Sequence, residues 1–270
     1  PNGLVISKIS VPLGIIGIIY ESRPNVTIDA GSLCIKSGNA SILRGGSDSF
    51  NSSKYLTELI QEGLNMANLP KDSVQSINQT DRKLVTQMLH AINFIDVIVP
   101  RGGKSLISAI QKEARVPVFA HLEGICHVYI DREIDFKVAK EVLINSKLRR
   151  TGICGAAETL LLDKKLDEKI LDQLINELLE RGCEVRGDEI ISKKFCNVVP
   201  ATEEDWKTEY LDSIISVKVV DGVNGAINHI NKFSSNHTDT IITNNNEKAE
   251  NFLSKVDSAI VIHNASTQFA

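Results

Sequence analysis

The stretch I-I-G-I-I-Y-E-S-R-P-N-V-T-I-D-A-G-S-L-C-I-K-S-G-N-A-S-I-L-R, residues 15–44, contains a complete strand–helix–strand unit. The apolar, β-branched run at 15–20 predicts a buried strand, and residues 26–38 have the spacing of a helix that ends at Gly38. A second strand follows at 40–44. Because a helix between two strands is the usual link between parallel neighbours, this stretch predicts an α/β fold with a parallel sheet.

The same alternation continues along the rest of the chain. Further strands are predicted at 95–99, 127–131, 158–162, 183–186, 214–220, 239–243 and 258–262, and further helices over 48–66, 81–91 and 166–180. The helix at 166–180 has leucine and isoleucine at helical spacing, which is typical of a core stripe. We therefore expect an α/β protein of two lobes, each built from parallel-sheet βαβ units. The expected boundary near 125–135 divides the chain into residues 1–130 and 131–270.

The composition excludes several classes of function. The chain has 270 residues, 42% of them hydrophobic, and a net charge of −4 with scattered Lys and Arg, so neither a nucleic-acid nor a membrane partner is expected. The five cysteines have no C-x-x-C pair, which favours a reducing, cytoplasmic setting over a disulfide framework. The six histidines have no tight ligand spacing, so no structural metal is expected.

Three glycine-containing turns are predicted to lie between a strand and the following helix, at 43–49, 100–105 and 151–155. At the carboxyl ends of parallel strands, the first N–H groups of a helix attract anions. The first two turns therefore offer a dinucleotide site made of Arg44, Gly45, Gly46, Arg101, Gly102, Gly103 and Lys104. Neither turn matches G-x-G-x-x-G or G-x-x-x-x-G-K-[ST], so glycines that only turn the chain are an equal alternative.

The third turn, T-G-I-C-G, places Cys154 among residues that leave its sulfur open to approach. Arg149 and Arg150 precede it, and positive charge or a helix start lowers the pKa of a thiol. The sequence therefore indicates a nucleophile at Cys154, with an inert thiol as the alternative.

The segment Y-E-S-R-P-N-V-T, residues 20–27, puts polar side chains directly after an apolar strand. One interpretation is structural, with Ser22 capping the helix that Pro24 begins. The other is functional, with the amide of Asn25 serving as a hydrogen-bond donor at the carboxyl end of the strand. The residues alone leave both interpretations open.

Several blocks of the chain closely resemble the γ-glutamyl phosphate reductase family, which belongs to the aldehyde dehydrogenase superfamily. They are Y-E-S-R-P-N-V-T (20–27), L-C-I-K-S-G-N-A-S-I-L-R-G-G-S (33–47), I-V-P-R-G-G (98–103), E-G-I-C-H-V-Y-I-D (123–131), C-G-A-A-E-T-L-L (154–161), S-S-N-H-T-D-T-I-I-T (234–243) and V-D-S-A-I-V-I-H-N-A-S-T (256–267). The match is collinear from about residue 10 onward, and it implies an aldehyde dehydrogenase-like fold.

The resemblance implies that L-glutamate 5-phosphate is reduced by NADPH to L-glutamate 5-semialdehyde and phosphate, the second step of proline synthesis. Cys154 occupies the place of the nucleophile, and Asn25 that of the asparagine in the oxyanion hole. The segment from Arg44 to Ser47 resembles the stretch that meets the adenosine ribose and 2′-phosphate. Residues 1–130 then form the NADPH-binding domain and residues 131–270 the catalytic domain, with the N-terminal part of the former and the C-terminal part of the latter missing.

The resemblance also suggests residues for the anionic ends of the substrate. Arg23, Ser266 and Thr267 are candidates, each with a purely structural role as the alternative. It further implies a homo-oligomer and a functional association with glutamate kinase. Two rival functions remain open: an acyl-CoA-reducing aldehyde dehydrogenase, and a non-catalytic relative that acts as a binding module.

Overall fold

The computed structural model describes residues 7–269, so the outer ends of the two predicted domains, residues 1–6 and Ala270, lie outside the described residues. The chain divides into two compact units between Leu122 and Glu123. The sequence placed this boundary after residue 130, which assigned the strand near 127 to the first unit. The structure places that strand in the second unit, because it pairs there with a strand on each side.

Within its described residues, 7–122, the first unit contains a four-stranded parallel sheet and four α-helices. Its strands are β1 (Ile15–Tyr20), β2 (Ala40–Arg44), β3 (Val74–Ser76) and β4 (Val97–Arg101). Its helices are α1 (Asn25–Lys36), α2 (Phe50–Met66), α3 (Lys83–Leu89) and α4 (Lys104–Glu113). The strands lie in the order β3-β2-β1-β4, so β1 is central and is covered on both faces, as its unbroken apolar sequence requires.

The strand–helix–strand unit read from residues 15–44 is present, with β1 and β2 paired in parallel. Between them, α1 ends where Gly38 adopts a left-handed conformation with φ of +78°. The Gly38 N–H donates to the Ile35 carbonyl and the Asn39 N–H donates to the Cys34 carbonyl. Since a side chain is rarely tolerated at such φ values, the glycine is what allows the chain to return directly to the sheet.

The part of the second unit that the structure describes, residues 123–269, contains a seven-stranded parallel sheet and five α-helices. Its strands are β5 (Cys126–Ile130), β6 (Ala157–Asp163), β7 (Glu184–Gly187), β8 (Val199–Pro200), β9 (Ile214–Val220), β10 (Thr238–Ile242) and β11 (Ile260–His263). Its helices are α5 (Phe136–Leu148), α6 (Glu168–Glu180), α7 (Glu189–Lys194), α8 (Gly222–Phe233) and α9 (Asn246–Lys255). The strand order is β11-β10-β5-β6-β9-β7-β8.

The core of this unit forms around its two central strands, β5 and β6, which are buried along their whole length. Helix α6 packs its predicted apolar stripe into this core, with four side chains buried: Leu171, Leu174, Ile175 and Leu178. Its first turn is capped by the Asp167 carboxylate, which accepts from the N–H groups of Lys169 and Ile170.

Within residues 7–269, none of the helices combines the length and the apolar character needed to cross a bilayer.

Candidate functional site

Cys154 lies in the loop that joins helix α5 to strand β6, at the amino end of that strand. The sequence predicted a turn from a strand into a helix, and this prediction was wrong. The residues before the loop are the last turn of α5, and Ala157 already begins β6. The loop therefore follows a helix C-terminus, and a strand rather than a helix begins after Cys154.

Two glycines, Gly124 and Gly155, allow other backbone segments to approach the Cys154 loop closely. A β-carbon on Gly124 would lie 2.0 Å from the Cys154 carbonyl oxygen. A β-carbon on Gly155 would lie 3.0 Å from the Thr267 carbonyl oxygen. The small residues around Cys154 thus serve close packing of the main chain, while the Cys154 side chain itself stays partly exposed.

The segment from Ser266 to Gln268 holds the Cys154 loop in place. The buried Thr267 hydroxyl donates to the Gly155 carbonyl at 2.7 Å, and the Gln268 amide donates to the carbonyls of Ser146 (2.8 Å) and Arg150 (3.2 Å). The Ser266 hydroxyl lies 3.2 Å from that of Ser146. The structure thus brings two of the predicted substrate-binding residues, Ser266 and Thr267, to the loop, where their hydroxyl groups are bonded within the chain.

An ion pair buried in the second unit joins the two ends of the same loop. Lys147, in the last turn of α5, donates to the Glu158 carboxylate of β6 at 2.6 Å, and both side chains are fully buried. Burial raises the pKa of Glu158 to about 7, although Lys147 acts in the opposite direction. The Leu211 N–H donates to the other carboxylate oxygen at 3.4 Å.

The remaining cysteines are less suited to nucleophilic attack. Burial raises the pKa of Cys34 and of Cys183, the latter to about 11, and raises that of Cys126 well above its usual range. Cys196 is exposed, but it lies between α7 and β8, remote in the strand order from β5 and β6. Cys154 is therefore the thiol that is partly exposed and lies in a loop held in place by hydrogen bonds.

A histidine next to this cysteine was not predicted from the sequence. A ring nitrogen of His237 lies within 4.8 Å of the Cys154 sulfur. His237 immediately precedes β10, which is paired with β5, and β5 in turn is paired with β6. The block S-S-N-H-T-D contained this histidine, but only the order of the strands brings it to Cys154.

In the first unit, three predicted loops meet at the carboxyl ends of β1, β2 and β4. The Glu21 carboxylate accepts from the Gly103 N–H at 2.9 Å, and the Glu21 N–H donates to the Arg101 carbonyl at 3.0 Å. The Ser22 hydroxyl donates to the Asp48 carboxylate, and Ser22 has a φ of +40°. The structure therefore assigns Ser22 to bridging two loops rather than to capping α1, whose start makes no side-chain cap bond.

A cavity of about 580 Å³ opens beside these loops, between the sheet edge and helices α3 and α4. Its lining includes Glu21, Arg44, Gly46, Ser47, Arg82 and Ser105. Arg44 donates to the carbonyls of Gly45 at 2.7 Å and of Thr80 at 3.2 Å. Its Nε atom is buried and has no hydrogen-bond partner among the described residues. The predicted cofactor residues thus lie at one edge of the sheet, and one of them, the charged donor Arg44, lines an open cavity.

The two other predicted residues of the first unit lie in the segment between β1 and α1. Arg23 is exposed there. Asn25 is exposed at the first residue of α1, and its amide donates to the Asp29 carboxylate at 3.0 Å. Asn25 thus has the donor group that the sequence analysis required, and its role opposite a nucleophile stays a prediction.

Comparison with known proteins connects both units to one family. The sequence profile of the "Aldehyde dehydrogenase family" matches residues 2–189. The γ-glutamyl phosphate reductase of Parvibaculum lavamentivorans is 59% identical over 271 residues, covering 100% of this chain and 64% of the relative. That of Bradyrhizobium diazoefficiens is 56% identical over 271 residues, covering 100% of this chain and 62% of the relative.

The chain is also similar to a solved structure of the same kind of enzyme. The crystal structure of γ-glutamyl phosphate reductase from Thermotoga maritima superimposes with a TM-score of 0.91 at 47% identity, covering 96% of this chain and 62% of that chain. The chain therefore spans about 64% of the length of the first of these relatives and 62% of the other two.

Proposed function

Because the chain belongs to the aldehyde dehydrogenase family, we propose that the full-length protein reduces L-glutamate 5-phosphate to L-glutamate 5-semialdehyde and phosphate, with NADPH as the reductant. The observation that carries the proposal is the partly exposed Cys154 in a loop held by buried hydroxyl, amide and glycine contacts. The 59% identity to a γ-glutamyl phosphate reductase supports the choice of substrate.

Cys154 is the proposed nucleophile. Its thiolate attacks the acyl carbon of the substrate, the bond from that carbon to the phosphate oxygen breaks, and a thioester forms as phosphate leaves. Negative charge develops on the carbonyl oxygen during attack, and the Asn25 amide and the Cys154 N–H are the proposed donors to it. Loss of one such donor typically raises the barrier by roughly 3–4 kcal/mol.

The dinucleotide, when bound, supplies the hydride that takes the thioester to the aldehyde level. The residues proposed to hold it are Arg44, Gly45, Gly46 and Ser47 at the adenosine ribose and 2′-phosphate, and Arg101, Gly102 and Gly103 at the pyrophosphate. Arg44 lines the cavity, and its positive charge supports a negatively charged ligand there. Replacing Arg44 with Ser is expected to raise the KM for NADPH more than that for NADH.

Arg23, Ser266 and Thr267 are proposed to face the anionic ends of the substrate, its carboxylate and its phosphate. Ser266 and Thr267 act through the loop that they hold as well, since their hydroxyl groups bond to Ser146 and Gly155. We also propose a cytoplasmic homo-oligomer that associates functionally with glutamate kinase. Size measurement in solution and co-purification with the kinase test these two points separately.

The reverse reaction provides the direct test of function. The full-length protein and its Cys154→Ala variant are assayed for NADP⁺ reduction, with pyrroline carboxylate as the source of the semialdehyde, with and without inorganic phosphate. Activity that requires phosphate and disappears in the variant supports both the reaction and the nucleophile. Activity that requires coenzyme A instead would move the protein to the acyl-CoA-reducing enzymes. Absence of activity with either acceptor would contradict the proposal.

A further inference from the structure

Two cysteine sulfurs lie next to the imidazole of His237 in the second unit. The Cys154 sulfur is within 4.8 Å of a ring nitrogen, and the Cys126 sulfur is 3.6 Å from Nδ1. Cys126 also donates to the Cys154 carbonyl at 3.1 Å, which ties the two cysteines together. From this arrangement we infer that His237 is the general base that accepts the proton of the Cys154 thiol.

The imidazole is held in a fixed place by the turn that carries it. His237 Nδ1 lies 2.8 Å from the Thr238 hydroxyl. Ser234 and Ser235 bond to the carbonyl and the N–H of Ile125, at 3.3 and 2.8 Å. These bonds fix the turn to the residue next to Gly124, which itself packs on the Cys154 backbone. The base and the thiol are therefore held by adjacent, mutually supported segments.

Buried carboxylates lie near the Cys126 thiol beside His237. Asp239 and Glu158 both raise the pKa of this thiol, and so does the neighbouring Cys154. The Asp239 carboxylate is buried and accepts from the His127 ring at 2.9 Å and the Ser234 hydroxyl at 3.0 Å. Cys126 keeps its own proton, because burial holds its pKa well above the usual range. Cys154 is then the thiol that supplies the proton.

The proton transfer balances without any further reagent. The S–H bond of Cys154 breaks, the electron pair stays on sulfur, and the proton goes to the imidazole. A separation of no more than 4.8 Å allows the proton to pass directly or through one water molecule. When the thiolate attacks the acyl phosphate, the imidazolium returns the proton to the departing phosphate. This inference rests on the proposed function for the identity of that leaving group.

Alkylation of Cys154 tests the inference without a substrate. The full-length protein, His237→Gln and the matched control His263→Gln are treated with iodoacetamide at pH values from 6 to 10, and modification of each cysteine is followed by mass spectrometry. His263 lies on β11 and bonds to the Thr243 carbonyl at 2.8 Å. Cys196, which is exposed, serves as the internal standard.

We expect His237→Gln to slow alkylation of Cys154 about tenfold near pH 7 and to have little effect at pH 10, where a thiol ionises without help. Alkylation in His263→Gln should match that of the unchanged protein. If His237→Gln slows alkylation of Cys154 equally at pH 7 and pH 10, the role of His237 is purely structural. If alkylation is not slowed at either pH, His237 has no role in activating this thiol. Either result overturns the inference. Because no acyl phosphate is present, failure of the proposed substrate leaves this test intact.

Discussion

Gly124 lies against the backbone of Cys154, so close that a β-carbon on residue 124 would fall 2.0 Å from the Cys154 carbonyl oxygen and 2.6 Å from its Cα. The obstacle is main chain, which cannot rotate aside as the end of a side chain can. The position of the proposed nucleophile is therefore set in part by the absence of a side chain on the segment that leads into β5.

Gly124→Ala is expected to displace the Cys154 loop. Relief of the clash should cost about 1–3 kcal/mol of unfolding free energy and lower kcat strongly, because the sulfur moves with its backbone. Gly63→Ala is the matched control. Gly63 lies in helix α2, and a β-carbon there would meet no other atom within 4 Å. That control should stabilise the protein slightly. Denaturant unfolding and the reverse assay measure both effects, and a fully active Gly124→Ala would contradict the expectation.

Thr267→Val tests whether the buried hydroxyl bond supports the same loop. The change keeps the shape of the side chain but leaves the Gly155 carbonyl without its 2.7 Å donor, at a cost of about 1–3 kcal/mol. Alkylation of Cys154 should change in rate at all pH values, which distinguishes this variant from His237→Gln. Thr267→Ser retains the hydroxyl, so its stability and its rate of Cys154 alkylation should stay close to those of the unchanged protein. If Val and Ser variants behave alike, the hydroxyl bond is not the source of the support.

The sequence predicted the elements well because their signals are local. The β-branched runs at 15–20 and 40–44 became β1 and β2 with the same bounds, and the similarity to a solved structure at a TM-score of 0.91 confirms the aldehyde dehydrogenase-like fold. The short strand β8 and helix α7 were not predicted, since two and six residues carry too little periodicity.

The placement of residues at the sheet edge of the first unit could be predicted because these residues follow a strand directly. Arg44 and Gly102 lie at the predicted sheet edge because each comes at or next to the end of a strand. The turn at Cys154 was misread because glycines give the same signal whether a helix or a strand follows. His237 was missed because its place beside Cys154 depends on β10, β5 and β6 being neighbours, which no local pattern records.

Glu158 should make stability depend on pH. Burial raises its folded-state pKa to about 7, above the ordinary value of about 4.3 for an unfolded chain. Between these values the folded protein holds a proton that the unfolded chain has released. The stability from this group is therefore present below about pH 4.3 and is lost as the pH rises through 7. The unfolding free energy of the protein minus that of Glu158→Gln should fall from pH 4.5 to pH 7.5.

The control for this dependence is Glu177→Gln, because the Lys140 hydrogen bond lowers the pKa of the partly exposed Glu177. Its difference curve should stay flat above pH 5 and change only at lower pH, with the opposite sign. A difference for Glu158 that is constant or rises with pH would contradict the expectation.

Lys147→Met should destabilise the protein more than either glutamate variant, by about 3–5 kcal/mol, since it leaves the buried Glu158 without its partner. The double variant Lys147→Met, Glu158→Leu removes both charges and should recover much of that loss. Urea denaturation at pH 7.5 compares the three proteins. A double variant no more stable than Lys147→Met alone would contradict the expectation.

Glu21→Gln is expected to strengthen binding of the proposed dinucleotide. The Glu21 carboxylate accepts from the Gly103 N–H, at the start of α4, where the pyrophosphate of the cofactor is proposed to bind. A negative charge at this helix start competes with an incoming anion, so its removal should lower the Kd for NADPH about threefold to tenfold, more at low salt. Glu62→Gln, on the exposed face of α2, should leave the Kd unchanged. Fluorescence titration distinguishes the outcomes: weaker binding in Glu21→Gln would instead show that this carboxylate holds the loops in their binding conformation.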